Sequence, residues 1–179
     1  MRCFIAIGVP ENIKKKVSLV QKELSKLPMV CKLVEPENIH ITLSFLGELD
    51  EEKVKETSNI LDSICNRYKK FEISMQPIKM IPSPSYIRVL AFEVVSARDE
   101  INCLSDDIKK LIGGKVNPPH LTVCRIKRIG NKPDVVSGIR NLESAIVGRF
   151  VVDSVDLMKS ELKKTGPAYI KLHESRLVD

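Results

Sequence analysis

The sequence predicts an α/β (α+β) fold with two pseudo-symmetric lobes, each a sheet with packed helices, around a central cleft. Strand and helix patterns alternate along the chain until a hairpin closes it. Two similar stretches, "NIHITLSFLGEL" from Asn38 and "PPHLTVCRI" from Pro118, lie about half a chain apart. Because 179 residues suit one domain, we expect residues 1–179 to form a single bilobal domain.

The first half of the chain predicts three strands and two helices. An apolar, β-branched run predicts a buried strand over residues 2–9, and a helical spacing of apolar residues follows over 11–27. Residues 40–48 predict a second strand. Acidic residues open a second helix over 50–68, and alternation predicts a strand over 71–81. The predicted inward positions of these helices are Ile13, Val17, Val20, Leu24, Val54, Ile60, Leu61 and Ile64.

The second half repeats this order after "PSPS" at residues 82–85, which we predict as the boundary between the pseudo-repeats. A strand is predicted over 86–95 and another over 120–129. Between them lies a helix over 97–114, whose stop signal is the glycine pair at its end. The inward positions of that helix are predicted as Ile101, Leu104, Ile108 and Leu111.

The end of the chain predicts one more helix and a hairpin. Residues 132–147 have a proline near their start and apolar residues at helical spacing. The segments 148–162 and 168–178 are predicted as two paired strands, with "KKTGP" as their turn.

Composition limits the class of protein and its partners. The net charge of +6 and the sequence pI near 9.1 favour anionic partners such as RNA, DNA or acidic lipid. Five dispersed cysteines without a CxxC pair indicate reduced thiols and no zinc site, so we expect a cytoplasmic location. No apolar run has the length of a membrane span or of a signal peptide.

The two similar stretches each place a histidine two residues before a threonine. Side chains alternate along a strand, so His40 and Thr42 share one face, as do His120 and Thr122. The same alternation predicts Ser44 on the polar face. It sends Phe45 to the core with Ile41, Leu43, Leu121 and Val123.

A histidine beside a hydroxyl suits the handling of an anionic oxygen. Imidazole gives or takes a proton near neutral pH, and a threonine hydroxyl donates to a phosphate oxygen without carrying charge. Two such pairs across a cleft would supply an acid, a base and two donors, which fits cleavage of a phosphodiester without a metal. His173 has no threonine at this spacing and is predicted as a histidine of the surface or of a strand end.

With these motifs, the sequence resembles the two-histidine (HxTx) phosphoesterase superfamily. It is most similar there to the RNA 2′,3′-cyclic phosphodiesterases, first described as 2′-5′ RNA ligases. The likeness extends to "RCFIAIGVP" at the start and "SELKKTGPAYIKL" near the end. The resemblance implies a bilobal fold with the active site in its central cleft, and no cofactor.

The resemblance also implies roles for individual residues. His40 corresponds to the proton donor and His120 to the proton acceptor, with Thr42 and Thr122 as the motif threonines. Arg125 fills a position that is often basic and would bind the substrate phosphate. In a regular strand Arg125 faces away from His120, so it reaches the cleft only if the strand bends, bulges or ends.

Other residues carry weaker signals. Cys124 is interpreted as packing, because nothing near it in sequence would activate a thiolate. The basic stretch from Arg125 to Lys132 is a candidate for contact with an RNA backbone. Tyr86, Tyr169 and Phe45 are candidates for stacking on bases.

The function expected from the sequence is therefore hydrolysis of a terminal 2′,3′-cyclic phosphate on RNA, tRNA fragments among them, by a monomer that does not bind membranes. The same chemistry in reverse would join RNA ends by a 2′-5′ linkage, and the sequence leaves this ligation open as a second activity. Two alternatives remain. One is a related enzyme that opens a cyclic phosphate on small nucleotides or ADP-ribose derivatives, or that trims 3′ ends of RNA. The other is a non-catalytic RNA-binding module.

Overall fold

The computed structural model describes residues 1–143, 147–164 and 166–179, and these contain four α-helices and ten strands. The helices are α1 (Glu11–Leu24), α2 (Glu51–Cys65), α3 (Arg98–Leu111) and α4 (Lys132–Asn141). The strands are β1 (Arg2–Gly8), β2 (Met29–Leu33), β3 (His40–Glu48), β4 (Phe71–Ser83), β5 (Tyr86–Val94), β6 (Lys115–Val116), β7 (His120–Ile129), β8 (Gly148–Val152), β9 (Ser154–Lys163) and β10 (Gly166–Arg176).

The predicted α/β (α+β) class is confirmed, and the ladders between strands are antiparallel throughout. The strand order is β10-β9-β1-β3-β7-β5-β4-β8. Four strands lie on each side of the junction between β3 and β7, where one residue pair, Ile41 and Leu121, joins the two sides. The two lobes are thus halves of one curled sheet, and they separate on either side of this pair.

The short strands exchange sides across the junction. β2 comes from the first part of the chain but pairs with β7, whereas β6 comes from the second part and pairs with β3. The helices follow the same exchange, because α1 packs against β7 and β8 while α3 packs against β3 and α2. Neither β2 nor β6 was predicted, since each is too short to show a period of its own.

Residues 84 and 85 form the turn between β4 and β5, which pair with each other. The order strand, helix, short strand, long strand, helix, strand occurs once before this turn and once after it. This order supports our proposal of one domain with a pseudo-repeat boundary near residues 82–85.

Two predicted segments near the end of the chain differ from the structure. The predicted strand over 148–162 is two strands, because the chain crosses at Asp153 from β4 to β1 as its pairing partner. The last predicted helix ends at Asn141, and residues 144–146 lie outside the described residues. The final hairpin is confirmed, and Thr165 of its predicted turn is also outside the described residues.

The core lies on the face of the sheet opposite the two motif histidines. Ile41, Leu43, Leu121 and Val123 are buried there in one hydrophobic cluster with the inward faces of the helices. Most predicted inward positions are buried, but Val54 and Ile60 are half-buried and Leu111 is 47% exposed, because it ends its helix. No helix in the described part of the chain is long and apolar enough to cross a membrane.

The glycine pair after α3 fixes this helix against β3. Gly113 and Gly114 have φ angles of +100° and +93°, which favour glycine and end the helix. A Cβ on Gly114 would lie 2.7 Å from the carbonyl oxygen of Phe45, so the close approach requires the missing side chain. The Ser44 hydroxyl donates to the Gly113 carbonyl oxygen over 3.1 Å.

Two phenylalanines allow a test of which strand positions belong to the core. Phe92 is fully buried, so we expect Phe92→Ala to lower the free energy of unfolding by about 3–5 kcal/mol through a cavity. Phe45 is 47% exposed, and Phe45→Ala should cost about 1 kcal/mol or less. Urea denaturation of both variants measures the difference. Equal costs would contradict the placement of Phe45 outside the core.

Candidate active site

His40 is the first residue of β3, and both of its ring nitrogens have partners. Nδ1 lies 2.7 Å from the carbonyl oxygen of Asn38, and Nε2 lies 2.9 Å from Oγ1 of Thr42. A carbonyl oxygen only accepts hydrogen bonds, so Nδ1 must carry the hydrogen in the first contact. Nε2 is therefore the atom of His40 that can gain or lose a proton.

His120 begins β7 and repeats the first of these contacts. Its Nδ1 lies 2.8 Å from the carbonyl oxygen of Pro118, two residues earlier, as Asn38 lies two residues before His40. The same argument leaves Nε2 of His120 as the atom that exchanges a proton. Both motif histidines thus have one nitrogen fixed by the backbone and one directed into the cleft.

The junction between β3 and β7 sets how the two motifs face each other. Because Ile41 is opposite Leu121 in an antiparallel pair, His40 lies on the Thr122 side of the junction and His120 on the Thr42 side. The four polar side chains therefore surround one point with approximate twofold symmetry. They all line a cleft of about 370 Å³.

A bulge in β3 changes the face of the residues after Thr42. Ile5 of β1 is opposite Ser44 and Ala6 is opposite Thr42, so Leu43 is an extra residue. Ser44 consequently points into the core, where it is fully buried, while Phe45 lines the cleft. The predictions of Ser44 on the polar face and Phe45 in the core were wrong, because both assumed regular alternation.

The matching bulge in β7 brings Arg125 into the cleft. Leu90 of β5 is opposite Cys124 and the next residue is opposite Thr122, so Val123 is the extra residue. Arg125 lines the cleft with the two motifs, as the sequence allowed only for a bulged or bent strand. Cys124 is fully buried, and burial raises the pKa of its thiol, which agrees with a packing role.

Burial and neighbouring charge act on His40. Burial lowers the pKa of His40 below its ordinary value, and the positive charge of Arg125 lowers it further, as does His120 when it is protonated. The hydrogen bond to the Asn38 carbonyl acts in the opposite direction and is outweighed. The neutral form of His40 is therefore favoured when the cleft contains no anion.

Two further residues of the cleft were not predicted in these positions. The Tyr169 ring stands perpendicular to the His40 ring with 5.1 Å between their centroids, and it also contacts Phe4. The Asn38 side chain is buried and donates to the Pro167 carbonyl oxygen over 2.8 Å, which ties β10 to the residues before His40. The only indication of Asn38 in the sequence was its position two residues before the first motif histidine.

The remaining candidates lie outside the cleft. His173 is in β10, and its Nε2 lies 2.8 Å from an Asp62 carboxylate oxygen that also accepts from Ser175. Tyr86 is 61% exposed at the start of β5. In the part of the chain that the structure describes, no three His, Cys, Asp or Glu side chains cluster as a metal site would require.

Comparison with known proteins finds a family model over the first half of the chain and relatives over nearly its whole length. The family described as LigT-like phosphoesterases matches residues 7–91. A Methanocaldococcus jannaschii protein named RNA 2′,3′-cyclic phosphodiesterase is 35% identical over 97% of this chain and 99% of its own. An Archaeoglobus fulgidus protein of the same name is 36% identical over 94% of this chain and 96% of its own. The chain belongs to the LigT-like phosphoesterase family.

Solved structures share the fold. A Thermus thermophilus protein superposes with a TM-score of 0.79 at 21% identity and covers 99% of this chain and 98% of its own. E. coli LigT complexed with 3′-AMP has a TM-score of 0.76 at 20% identity with the same coverage. The resemblance seen in the sequence is thus confirmed for both family and fold.

The lowered pKa of His40 can be measured directly. We expect NMR titration of its ring to give a pKa below that of a histidine in a short peptide, about 6.5. Arg125→Gln removes a positive charge and should raise the pKa of His40. Arg140→Gln, on α4 and outside the cleft, should leave it unchanged. An equal response to both variants would contradict the direct effect of Arg125.

Proposed function

We propose that this protein is a metal-independent phosphodiesterase that hydrolyses a terminal 2′,3′-cyclic phosphate on RNA to a 2′-phosphomonoester. The observation that carries the proposal is the pair of histidines, each with Nδ1 fixed by a backbone carbonyl and Nε2 directed into one cleft. Family relatives named RNA 2′,3′-cyclic phosphodiesterase support the same activity.

The division of labour between the two imidazoles follows from the family resemblance, which gives His40 as the proton donor and His120 as the proton acceptor. In the proposed reaction, Nε2 of His120 takes a proton from water as the water oxygen bonds to phosphorus. The bond from phosphorus to the 3′ oxygen breaks, and Nε2 of His40 gives its proton to that oxygen. The products are a 2′-phosphate and a 3′-hydroxyl, and the two histidines return to their starting states by exchange with solvent.

The other polar groups of the cleft would hold the phosphate. Thr42 and Thr122 offer hydroxyl donors on opposite sides of the junction, close to where charge develops on the phosphoryl oxygens. Arg125 adds a guanidinium, whose planar donors match a phosphate and stabilise its charge. Together they would fix the phosphorus atom between the two Nε2 atoms.

The lowered pKa of His40 means that the bound substrate can influence whether His40 is protonated. A proton donor must be protonated, yet the empty cleft favours neutral His40. A phosphodiester anion beside Nε2 and Arg125 offsets the positive charges there and raises the pKa of His40. We therefore propose that binding of the anionic substrate causes His40 to take up the proton that it later gives to the leaving oxygen. For the free protein, kcat/KM should fall as pH rises through the lowered pKa, which places the optimum on the acidic side of neutrality.

The aromatic side chains on the His40 side of the cleft suit the terminal nucleoside. The 3′ oxygen that His40 protonates belongs to the ribose of that nucleoside, so sugar and base lie near His40. Phe45 and Tyr169 line this part of the cleft and offer apolar ring surface to a base. The 2′-5′ ligation direction would use the same groups, with the 5′-hydroxyl of a second RNA attacking phosphorus in place of water.

The biological setting stays a prediction. We propose RNA ends as the substrate class, with tRNA fragments as one source, a monomer as the active form and the cytoplasm as the location. Comparing an RNA end with a mononucleotide as substrate separates this class from the alternatives that the sequence left open.

The first test compares three histidine variants in buffer with EDTA, on an RNA oligomer and on a mononucleotide that both end in a 2′,3′-cyclic phosphate. We expect the protein to convert the oligomer to a 2′-phosphate product, identified by chromatography. His40→Ala and His120→Ala should each lower the rate by about a hundredfold or more. His173→Ala is the matched control and should keep the rate.

Several outcomes of this assay would overturn the proposal. Loss of activity in EDTA would remove the metal-free mechanism, and a near-full rate in either motif variant with an intact circular dichroism spectrum would remove the acid-base pair. Turnover of the mononucleotide alone would favour an enzyme of small nucleotides. RNA binding without any turnover would favour a binding module.

A second test addresses Arg125 with the mononucleotide as substrate. A charge-assisted pair of hydrogen bonds is lost in Arg125→Gln, so kcat/KM should fall about tenfold to a hundredfold. Arg125→Lys keeps the charge without the planar donors, so its kcat/KM should lie between the values for the parent protein and for Arg125→Gln. Arg140→Gln should match the parent protein. A rate for Arg125→Gln within twofold of the parent would exclude contact with the phosphate.

A further inference from the structure

The hairpin of β4 and β5 presents an aromatic and a cationic side chain together. Tyr86 is 61% exposed, and the guanidinium carbon of Arg88 lies 6.0 Å from the centre of its ring. A cation at this distance from the face of a ring is attracted to it. We call these two residues the Tyr86–Arg88 surface.

The Tyr86–Arg88 surface lies on the cleft side of the sheet. Ile81 is opposite Val89 and the next residue of β4 is opposite Ile87, so Arg88 is an extra residue in β5. Ile87 is buried in the core, and the alternation along β5 therefore directs Tyr86 and Arg88 to the other face. That is the face of Ile81 and Val89, which line the cleft.

The surface continues directly from the phosphate site. Val89 is opposite Arg125 in the pairing of β5 with β7. Tyr86 is three residues from Val89, about 10 Å along an extended strand. An oligonucleotide whose terminal phosphate contacts Arg125 would therefore have its preceding nucleotide within reach of Tyr86.

The tip of the hairpin holds Tyr86 in place. The hydroxyls of Ser83 and Ser85 are 2.8 Å apart, and the Tyr86 backbone N–H donates to the Ser83 hydroxyl over 3.3 Å. The Lys132 ammonium group donates to the Ser85 carbonyl oxygen. The backbone that carries Tyr86 is thus held by these contacts, which lowers the entropy lost when a base stacks on the ring.

The charge around this surface favours an anionic polymer. Residues 79–89 and 125–132 contain six cations and no Asp or Glu. Throughout the described ranges, no carboxylate lies within ion-pair distance of Arg88, Arg125 or Lys127. These cations are available to neutralise phosphates.

The other side of the cleft has the opposite charge at the matching place. In the row of paired residues that runs from Thr122 through β5 to β4, the residue in β4 is Lys79. In the matching row that runs from Thr42 through β1 to β9, the residue in β9 is Asp156. Each of these groups also contacts a side chain of opposite sign. Because both of these groups are paired, attraction of a polyanion to the hairpin side rests on Arg88, Arg125 and Lys127.

We propose that the Tyr86–Arg88 surface binds the nucleotide that precedes the terminal one in single-stranded RNA. This inference rests on the proposed function, since it extends the same site to a longer substrate. The preceding base stacks on Tyr86, and the Arg88 guanidinium contacts the phosphodiester between the two nucleotides. Stacking on a ring face is tolerant of base identity, so the surface selects for chain length and not for sequence.

The test compares kcat/KM for a pentanucleotide and for a mononucleotide, both ending in a 2′,3′-cyclic phosphate. We expect Tyr86→Ala to lower kcat/KM for the pentanucleotide at least about fivefold, the lower end of the loss of one stacked base. The mononucleotide does not reach Tyr86, and its kcat/KM should change less than twofold. Tyr86→Phe keeps the ring face and should retain the parent ratio of the two values.

Arg88 is tested by the dependence on salt. Arg88→Gln should reduce the slope of log kcat/KM against log salt concentration by about 0.7 for the pentanucleotide, as expected for one lost contact with a single-stranded phosphate. Lys55→Gln removes the same charge from the surface of α2 and should leave the slope as it is. An unchanged ratio of the two substrates in Tyr86→Ala, or an equal slope change in both charge variants, would overturn the inference.

A binding measurement separates this inference from the proposed function. Fluorescence anisotropy with a labelled pentanucleotide that ends in a 3′-phosphate needs no turnover. Weaker binding by Tyr86→Ala than by Tyr86→Phe would support the surface even if the protein cleaved neither substrate. Equal binding by the two variants would overturn the inference while leaving the cleavage reaction intact.

Discussion

One backbone junction, the pairing of Ile41 with Leu121, determines how the rest of this structure is arranged. If β3 and β7 paired over their full lengths, the sheet would be continuous and the two motifs would lie on a closed surface. Because they meet at one residue pair and then diverge, β6 joins β3 and β2 joins β7 in the space that opens. The cleft is the result of this divergence, and the antiparallel direction places its four polar side chains around one point.

Two bulges then decide which side chains complete the cleft. Leu43 and Val123 occupy equivalent positions, one residue after each motif threonine, and each adds a residue to its strand. The extra residue keeps two consecutive side chains in the core and returns the next one to the cleft. In one strand that next residue is Phe45 and in the other it is Arg125. A symmetric backbone thus carries an aromatic ring on one side and a cation on the other.

The same symmetry is broken electrostatically at the two histidines. Both are oriented by a carbonyl two residues earlier, but His40 also bonds to Thr42 and contacts the Tyr169 ring. Burial and the charge of Arg125 favour its neutral form. In the reaction we propose, an anionic substrate reverses this preference, so the group that donates the proton becomes competent only with its substrate in place. In that reaction the backbone orients the ring, and the bound anion would favour its protonated form.

The sequence by itself determined the elements and the chemistry of the motifs. Local periodicity is sufficient to predict four helices, the long strands and the side of each strand on which His40, Thr42, His120 and Thr122 lie, because these depend on residues close in sequence. It gave the wrong faces for Ser44 and Phe45, since the bulge that moves them depends on the partner strand and not on the strand that carries it. Local periodicity also could not predict which strands β8 and β9 pair with, or that β2 and β6 exchange sides. Nor could it predict the contact of Tyr169 with His40. These join residues far apart in the chain, so only the tertiary structure, where packing of the whole core fixes register, decided them.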